Sequence, residues 1–407
     1  MKKRGGYRED FKTRFGLGLN LPEKVPGKKR VWLQAVSLGE MLAMEPLIQA
    51  LAAQGDKEIF LTTTTSTGYA SAVSKYREKT VGIAYFPLDF WPITRRSWRA
   101  VKPDLAIVAE TELWPEFLQQ AGNARVPVVM VNGRLSDNSF GNTKKLAFLF
   151  SNQLGALKRV LAGSEMDAER FVKIGIPQDR VSATGNLKMD VAIEPILSQS
   201  EKINLKRTLG FEEKFVLLGS STWPGEEAML LRAFRKIHKQ MPCSLLIVPR
   251  HAERRKELKS LMGEAADDFQ VCFKSEGLFE GAVDILVADT HGELRTLTQI
   301  ADLAFIGKSL SPHREGQTPV ECGGLGVPMV FGPGMRNFRS IRDQLLSCGA
   351  AMEVADRTEA IDALVKLSED PDRRSEMSLV GQEWHRASKG AVDRTMAALD
   401  EILLSVN

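Results

Sequence analysis

The sequence predicts an α/β protein made of two doubly wound parallel-sheet domains, and three observations carry that prediction. Short apolar runs without polar alternation recur along the chain, as strands buried on both faces of a parallel sheet require. Longer segments with a 3.6-residue apolar period lie between them, where crossover helices belong. The alternation occurs twice, on either side of a polar stretch, and 407 residues suffice for two domains that each bury a core.

The first series of strands is expected at residues 30–36, 58–63, 80–86, 104–109, 126–132, 159–162 and 180–184. Helical patterns such as EMLAMEPLIQALAAQ (40–54) and TELWPEFLQQAG (111–122) separate them. Periodicity breaks down across 188–214, which reads as the crossing between domains, and a second series follows at 215–220, 244–249, 270–273, 284–288, 303–305 and 328–331. The expected division is an N-terminal domain at 1–190, a linker at 191–212, a C-terminal domain at 213–390, and a final segment, 391–407, whose helix (393–404) is a candidate for crossing back onto the first domain.

Composition is that of a globular chain, 43% hydrophobic and 26% charged, with no low-complexity stretch. A net charge of +4 is too small to indicate nucleic acid, and none is expected as a partner. Positive residues are nevertheless crowded near the start, where Lys2, Lys3, Arg4, Arg8, Lys12, Arg14, Lys24, Lys28, Lys29 and Arg30 face only Glu9, Asp10 and Glu23 and predict a basic edge. Cys243, Cys272, Cys322 and Cys348 have no metal-site spacing and lie in or beside apolar segments, as free thiols of a reducing, cytoplasmic compartment do. No apolar segment follows the basic start and no run of about eighteen apolar residues occurs, so neither export nor a membrane span is expected of the chain as given.

In open α/β sheets, ligands bind beyond the carboxyl ends of the strands. The loops there are SLGE (37–40), ETELWP (110–115), GSSTWPGEE (219–227), PRH (249–251), DTHGEL (289–294) and GKSLSPHREGQTPVE (307–321). In the first, Ser37 and Gly39 precede Glu40, a carboxylate placed at the positive end of a helix dipole, where it serves either chemistry or capping. In the second, Glu110 and Glu112 flank a strand end beside Trp114, which suits sugar binding and proton removal; the alternative is Thr111 as a helix cap with Glu112 in the first turn. Ser220 lies in a small-residue loop fit to cradle phosphate, though without the P-loop ending. Arg250 can offer paired hydrogen bonds to phosphate or carboxylate, or stand as an ordinary surface cation. Thr318 and Glu321 fit both a capping box and ribose recognition. The DxD at Asp370-Pro371-Asp372 looks like a helix cap, so no metal site is expected.

Together these segments resemble the bacterial Kdo (3-deoxy-D-manno-octulosonic acid) transferases over about residues 30–337. The matches are AVSLGE, TTTTSTG (62–68), FPLD (86–89), ETELWP, VNGRLS (131–136, with Asn132 and Arg134), GNLKMD (185–190), GSSTWPGEE, VPRHAER, DTHGEL, GKSL and GPGMRNF. The resemblance implies a GT-B fold, two Rossmann-like domains facing a central cleft. It implies inverting transfer of Kdo from CMP-Kdo to a lipid A precursor, lipid IVA, in lipopolysaccharide core biosynthesis, with no cofactor or metal, at the inner face of the inner membrane. Glu40 is then the candidate general base, and Glu110 and Glu112 organise the acceptor side. Arg250 lies near the donor phosphate, Gly292, Glu293 and Leu294 near the cytosine, and Ser309, Thr318 and Glu321 around ribose and phosphate.

The chain departs from the family pattern at Gln34 and Trp223, where His is common, at Lys308 in GKSL for GGSL, and at Glu315 and Thr318 in EGQTPVE for a GGQNPLE-like stretch. Those changes favour, as alternatives, a relative using another nucleotide sugar or acceptor, and less so a non-catalytic glycan or lipid binder. Many relatives start with an apolar anchor. Here the expected membrane contact is PLDFWPITRRSWRAVKP (87–103), in which Trp91 and Trp98 are interleaved with Arg95, Arg96 and Arg99; an ordinary amphipathic helix is its plain alternative.

Overall fold

The computed structural model describes residues 10–136, 139–141, 155–191, 193, 196–263, 265–277 and 281–405. Lys2, Lys3, Arg4, Arg8 and Glu9 of the expected basic edge lie outside them. The chain divides into two compact units, Met1–Val191 with Ser388–Asn407, and Ala192–Ala387.

The first unit holds a seven-stranded parallel sheet in the order β3-β2-β1-β4-β5-β6-β7. Its strands are β1 (Lys29–Gln34), β2 (Lys57–Thr63), β3 (Gly82–Tyr85), β4 (Leu105–Ala109), β5 (Val128–Gly133), β6 (Leu157–Ala162) and β7 (Val181–Ala183). The central strands are apolar throughout because helices cover both faces: every residue of LAIVA in β4 is buried. On one face Trp32 is ringed by Phe60, Phe86, Trp98 and Phe117, with centroids 4.9 to 6.5 Å away. On the other, Met41, Leu47 and Leu51 of the helix Leu38–Ala53 pack with Leu399 and Ile402 of the helix Ala391–Leu404. That last helix is fixed at its start by Asp190, whose carboxylate accepts from the backbone N–H groups of Gly390 (2.7 Å) and Val392 (2.6 Å).

The second unit repeats the plan in the order β10-β11-β9-β8-β12-β13-β14. Its strands are β8 (Phe215–Thr222), β9 (Cys243–Pro249), β10 (Val271–Phe273), β11 (Ile285–Val287), β12 (Leu303–Ile306), β13 (Met329–Phe331) and β14 (Ala351–Glu353). The polar stretch expected to lack periodicity contains a helix, Gln199–Thr208, opened by a capping box in which Ser198 and Glu201 exchange bonds. Asp370 caps the helix Pro371–Ala387 by accepting from Arg373 N–H at 2.9 Å. Cys243 and Cys322 are buried as apolar fillers, whereas Cys348 is exposed, against the expectation for all four.

Trp98 also corrects an expectation. Only 4% of it is exposed, and it belongs to the core around Trp32, leaving Trp91 and Phe90 as the outward aromatics at 52% and 62%.

Candidate active site

In each sheet the winding direction reverses between two central strands, β1 and β4 in the first unit, β8 and β12 in the second. Loops part at such a point and leave room for ligand. Non-glycine residues with left-handed backbone sit at strand ends at or next to this point: Glu110 (φ 55°) just after β4 and Asn132 (φ 52°) near the end of β5 in one unit, Ser221 (φ 53°) near the end of β8 and Lys308 (φ 59°) just after β12 in the other. Such conformations are sparsely populated and persist where surrounding contacts impose them.

In the first unit, the loop after β1 is tied down by the TTTTSTG stretch. The Val36 carbonyl accepts from Thr64 N–H and Thr65 N–H, each at 3.1 Å, and from Thr63 Oγ1 at 3.1 Å. Beneath it, Trp32 Nε1 donates to Thr62 Oγ1 (2.9 Å), which donates to Gln34 Oε1 (2.8 Å). Ser37 caps the helix Leu38–Ala53 by accepting from Glu40 N–H. Glu40 reaches back, its carboxylate accepting from Val36 N–H at 2.8 Å and Ser37 Oγ at 3.0 Å. Gly39 is exposed beside it. Burial pushes the Glu40 carboxyl up to about 7 against the Val36 hydrogen bond, and the negative charges of Glu110 and Glu112 add to the rise.

Glu110 lies 3.5 Å from both Arg134 Nη1 and Lys188 Nζ. Glu112 accepts from Trp114 Nε1 at 2.7 Å, and burial raises its pKa. Asn132 is buried; its Oδ1 accepts from Leu187 N–H at 3.1 Å, while its Nδ2 has no partner among the described residues. Thr111 is not the cap of the following helix. Trp114 occupies the N-cap of Pro115–Ala124 without a side-chain bond, and Asp89 of FPLD supplies the cap from outside, accepting from Glu116 N–H (3.0 Å) and Phe117 N–H (2.8 Å).

In the second unit the small-residue loop carries its own anion. Glu226, in the first turn of Glu226–His238 and 1% exposed, accepts from Trp223 N–H (2.9 Å), Lys308 N–H (2.9 Å) and Ser309 N–H (3.2 Å). One donor of the expected phosphate cradle, Trp223 N–H, is therefore taken by a carboxylate whose pKa burial raises to about 7. Its neighbour Glu227 is buried against Arg254 at 2.6 Å. Ser220 is buried in β8. Ser309 has a different part from the one expected: its hydroxyl, fully buried, donates to Ile306 C=O (2.6 Å) and accepts from Gly332 N–H (2.9 Å). Gly307 is required because a Cβ there would collide with the Ser221 carbonyl.

Arg250, at the end of β9, is exposed, and its guanidinium has no partner among the described residues. Gly292 is exposed, Leu294 opens a short helix, and Glu293 is engaged by Lys274 and Thr290, which hold its carboxyl below the usual range against burial. Thr318 Oγ1 donates to Glu321 Oε2 at 3.0 Å and accepts from Val320 N–H, but the N-cap is Pro319, so no capping box forms.

The structure thus brings Ser37, Gly39, Glu40, Glu110, Glu112, Trp114, Asn132 and Arg134 to the strand ends of the first unit. Lys188, which received no role from the sequence, joins them through Glu110; its only signal there was membership of GNLKMD. Among the described residues no three His, Cys, Asp or Glu side chains group as metal ligands.

The same two-sheet fold occurs in a solved glycosyltransferase from Rickettsia africae, with a TM-score of 0.64 and 11% identity over 93% of this chain and 98% of that one. A UDP-GlcNAc 2-epimerase from Neisseria meningitidis matches with a TM-score of 0.61 and 15% identity, over 93% and 100% of the two chains. At these identities the likeness concerns the fold alone, and it defines a GT-B-type α/β protein; such a fold hosts more than one activity. Sequence narrows the class. Residues 9–191 match the family described as 3-deoxy-D-manno-octulosonic-acid transferase. The chain is 31% identical over 417 residues to the 3-deoxy-D-manno-octulosonic acid transferase of Bordetella pertussis, covering 99% of this chain and 94% of that one. It is 29% identical over 403 residues to the Haemophilus influenzae transferase, covering 98% and 92%. The chain belongs to the Kdo transferase family and is a glycosyltransferase.

Proposed function

We propose that this transferase takes Kdo from CMP-Kdo and delivers it to a lipid A precursor, lipid IVA, with inversion at the anomeric carbon and without a metal ion. Kdo transfer in lipopolysaccharide biosynthesis rests on family membership. The observation that carries the mechanism is Glu40, a half-buried carboxylate at a helix start with a pKa near 7. A base of that strength is half ionised at neutral pH and still accepts a proton as an acceptor hydroxyl attacks. In the proposed step that hydroxyl oxygen bonds to the anomeric carbon, its proton passes to Glu40, and the bond to CMP breaks with its electron pair leaving on the phosphate.

Glu110, held by Arg134 and Lys188, and Glu112, held by Trp114, fit the acceptor side. Arg250 fits the donor phosphate as an exposed cation with no side-chain partner among the described residues. Gly292, Glu293 and Leu294 are the proposed cytosine contacts, and Thr318 and Glu321 those of the ribose. We place the enzyme peripherally on the inner face of the inner membrane. Exposed Phe11, Phe15, Leu88, Phe90 and Trp91 support this, with Arg95 over the Trp91 ring at 5.3 Å. No described helix is long and apolar enough to cross a membrane.

The test is transfer from CMP-Kdo to lipid IVA in the presence of EDTA. Product is expected from the parent chain and not from Glu40→Gln. Loss of product on chelation removes the metal-free part of the proposal, and full turnover by Glu40→Gln removes its base.

A further inference from the structure

Of the positions where the sequence leaves the family pattern, Lys308 meets two others, Trp223 and Glu315. The Lys308 ammonium lies 4.3 Å from the centroid of the Trp223 ring and 3.6 Å from Glu315 Oε2. Backbone bonds impose the meeting: Gly316 N–H donates to Lys308 C=O at 2.9 Å and Gln317 N–H to Gly307 C=O at 3.1 Å, bringing Glu315 alongside. On its other sides the Trp223 ring meets His251 (5.1 Å) and His313 (5.2 Å).

This neighbourhood has hydrogen-bonding capacity that the protein does not use. Thr222 Oγ1 and Trp223 Nε1 are buried and without partners among the described residues. Arg250, whose backbone N–H donates to Thr222 C=O at 3.2 Å from the neighbouring strand, has no side-chain partner among them either. The pair itself is loose: side-chain exposure is 21% for Lys308 and 47% for Glu315, and a partly exposed ion pair is weak enough to open. A cation already fixed on an aromatic face needs little reorganisation to meet an anion.

We propose that Lys308, seated on Trp223, is an anion-binding residue for the donor in this chain, and that Glu315 is its resident counter-ion, displaced when the phosphate or sugar carboxylate arrives. The proposal rests on the reading of the second unit as the donor side. Glu315 then competes with the donor for Lys308, so removing either partner has opposite consequences.

The experiment measures Kd for CMP by calorimetry and KM for CMP-Kdo in the parent, Arg250→Ala, Lys308→Met and Glu315→Gln. Lys308→Met is expected to weaken the donor about tenfold, and Glu315→Gln to tighten it roughly threefold. Shifts seen already with CMP assign the phosphate as the anion, and shifts confined to CMP-Kdo assign the sugar carboxylate. If the pair merely braces its loop, both substitutions weaken binding alike, and the proposal is overturned while Arg250→Ala still loses CMP. If neither the parent binds CMP nor Arg250→Ala alters KM, the donor assignment of this unit falls, and the proposal with it.

Discussion

Glu40 in the first unit and Glu226 in the second occupy almost the same place in the fold, and they differ in what is left for them to do. Each stands in the first turn of the helix that follows the first strand of its sheet, beside the strand pair where winding reverses. Each is raised to about 7 by burial. Glu226 spends its oxygens on three backbone N–H groups from two loops, whereas Glu40 accepts from one N–H and one hydroxyl. Glu40 also faces two further carboxylates and stays half-exposed. A pKa near neutrality therefore does not by itself mark a catalytic carboxylate; Glu40 differs from Glu226 in keeping more open acceptor capacity and more exposure.

Substitution separates the two. Glu40→Gln should lower kcat by roughly 10²–10⁴-fold, the usual contribution of a general base, and leave thermal stability close to that of the parent. Glu226→Gln should do the reverse. An amide has one acceptor oxygen, so its nitrogen is turned against a buried N–H donor, and denaturant titration should show a loss of roughly 1–3 kcal/mol. Inactive yet fully stable Glu226→Gln would break the comparison. Asp89→Ala removes an external cap from two N–H groups of the helix Pro115–Ala124 and should reduce stability by about 1 kcal/mol, with a smaller effect on turnover through Trp114.

The finest test is the pH profile. Glu40 is a base only when ionised, so kcat/KM should rise with pH and level off above its pKa of about 7. Neutralising Glu112 removes a negative neighbour and favours the ionised form of Glu40. In Glu112→Gln the midpoint should accordingly move down by a few tenths of a pH unit. Stability has its own sign: between the ordinary value of 4.5 and about 7 the folded protein binds more protons at Glu40 and Glu226 than the unfolded chain does. Their contribution to stability accordingly falls as pH rises through that window, and Glu226→Gln should flatten the slope.

The sheets were legible in the sequence because parallel strands buried on both faces have to be uninterrupted apolar runs, and LAIVA or LLIV can be little else. β14 was missed because AME is short, lies at a sheet edge and is only partly buried. The helix Gln199–Thr208 was missed because it buries no residue fully and so shows no period, though its S-x-x-E start was readable. The strand-end rule found the loops of the site. It could not show that Lys188 reaches Glu110, that Asp89 caps a helix 27 residues on, or that Ser309 turns inward, because these depend on partners distant in the chain.

The clasp of Asp190 on Gly390 and Val392 has a consequence for biogenesis. The helix that completes the first core is the last stretch of the described chain to be synthesised, so some two hundred residues of the second unit emerge from the ribosome before the first can finish. Until then, the face of the first unit around Leu47 and Leu51 has an open seat, which exposes it to chaperones and proteases. Clipping the last helix should therefore loosen the half of the protein synthesised first and leave the half synthesised just before it folded.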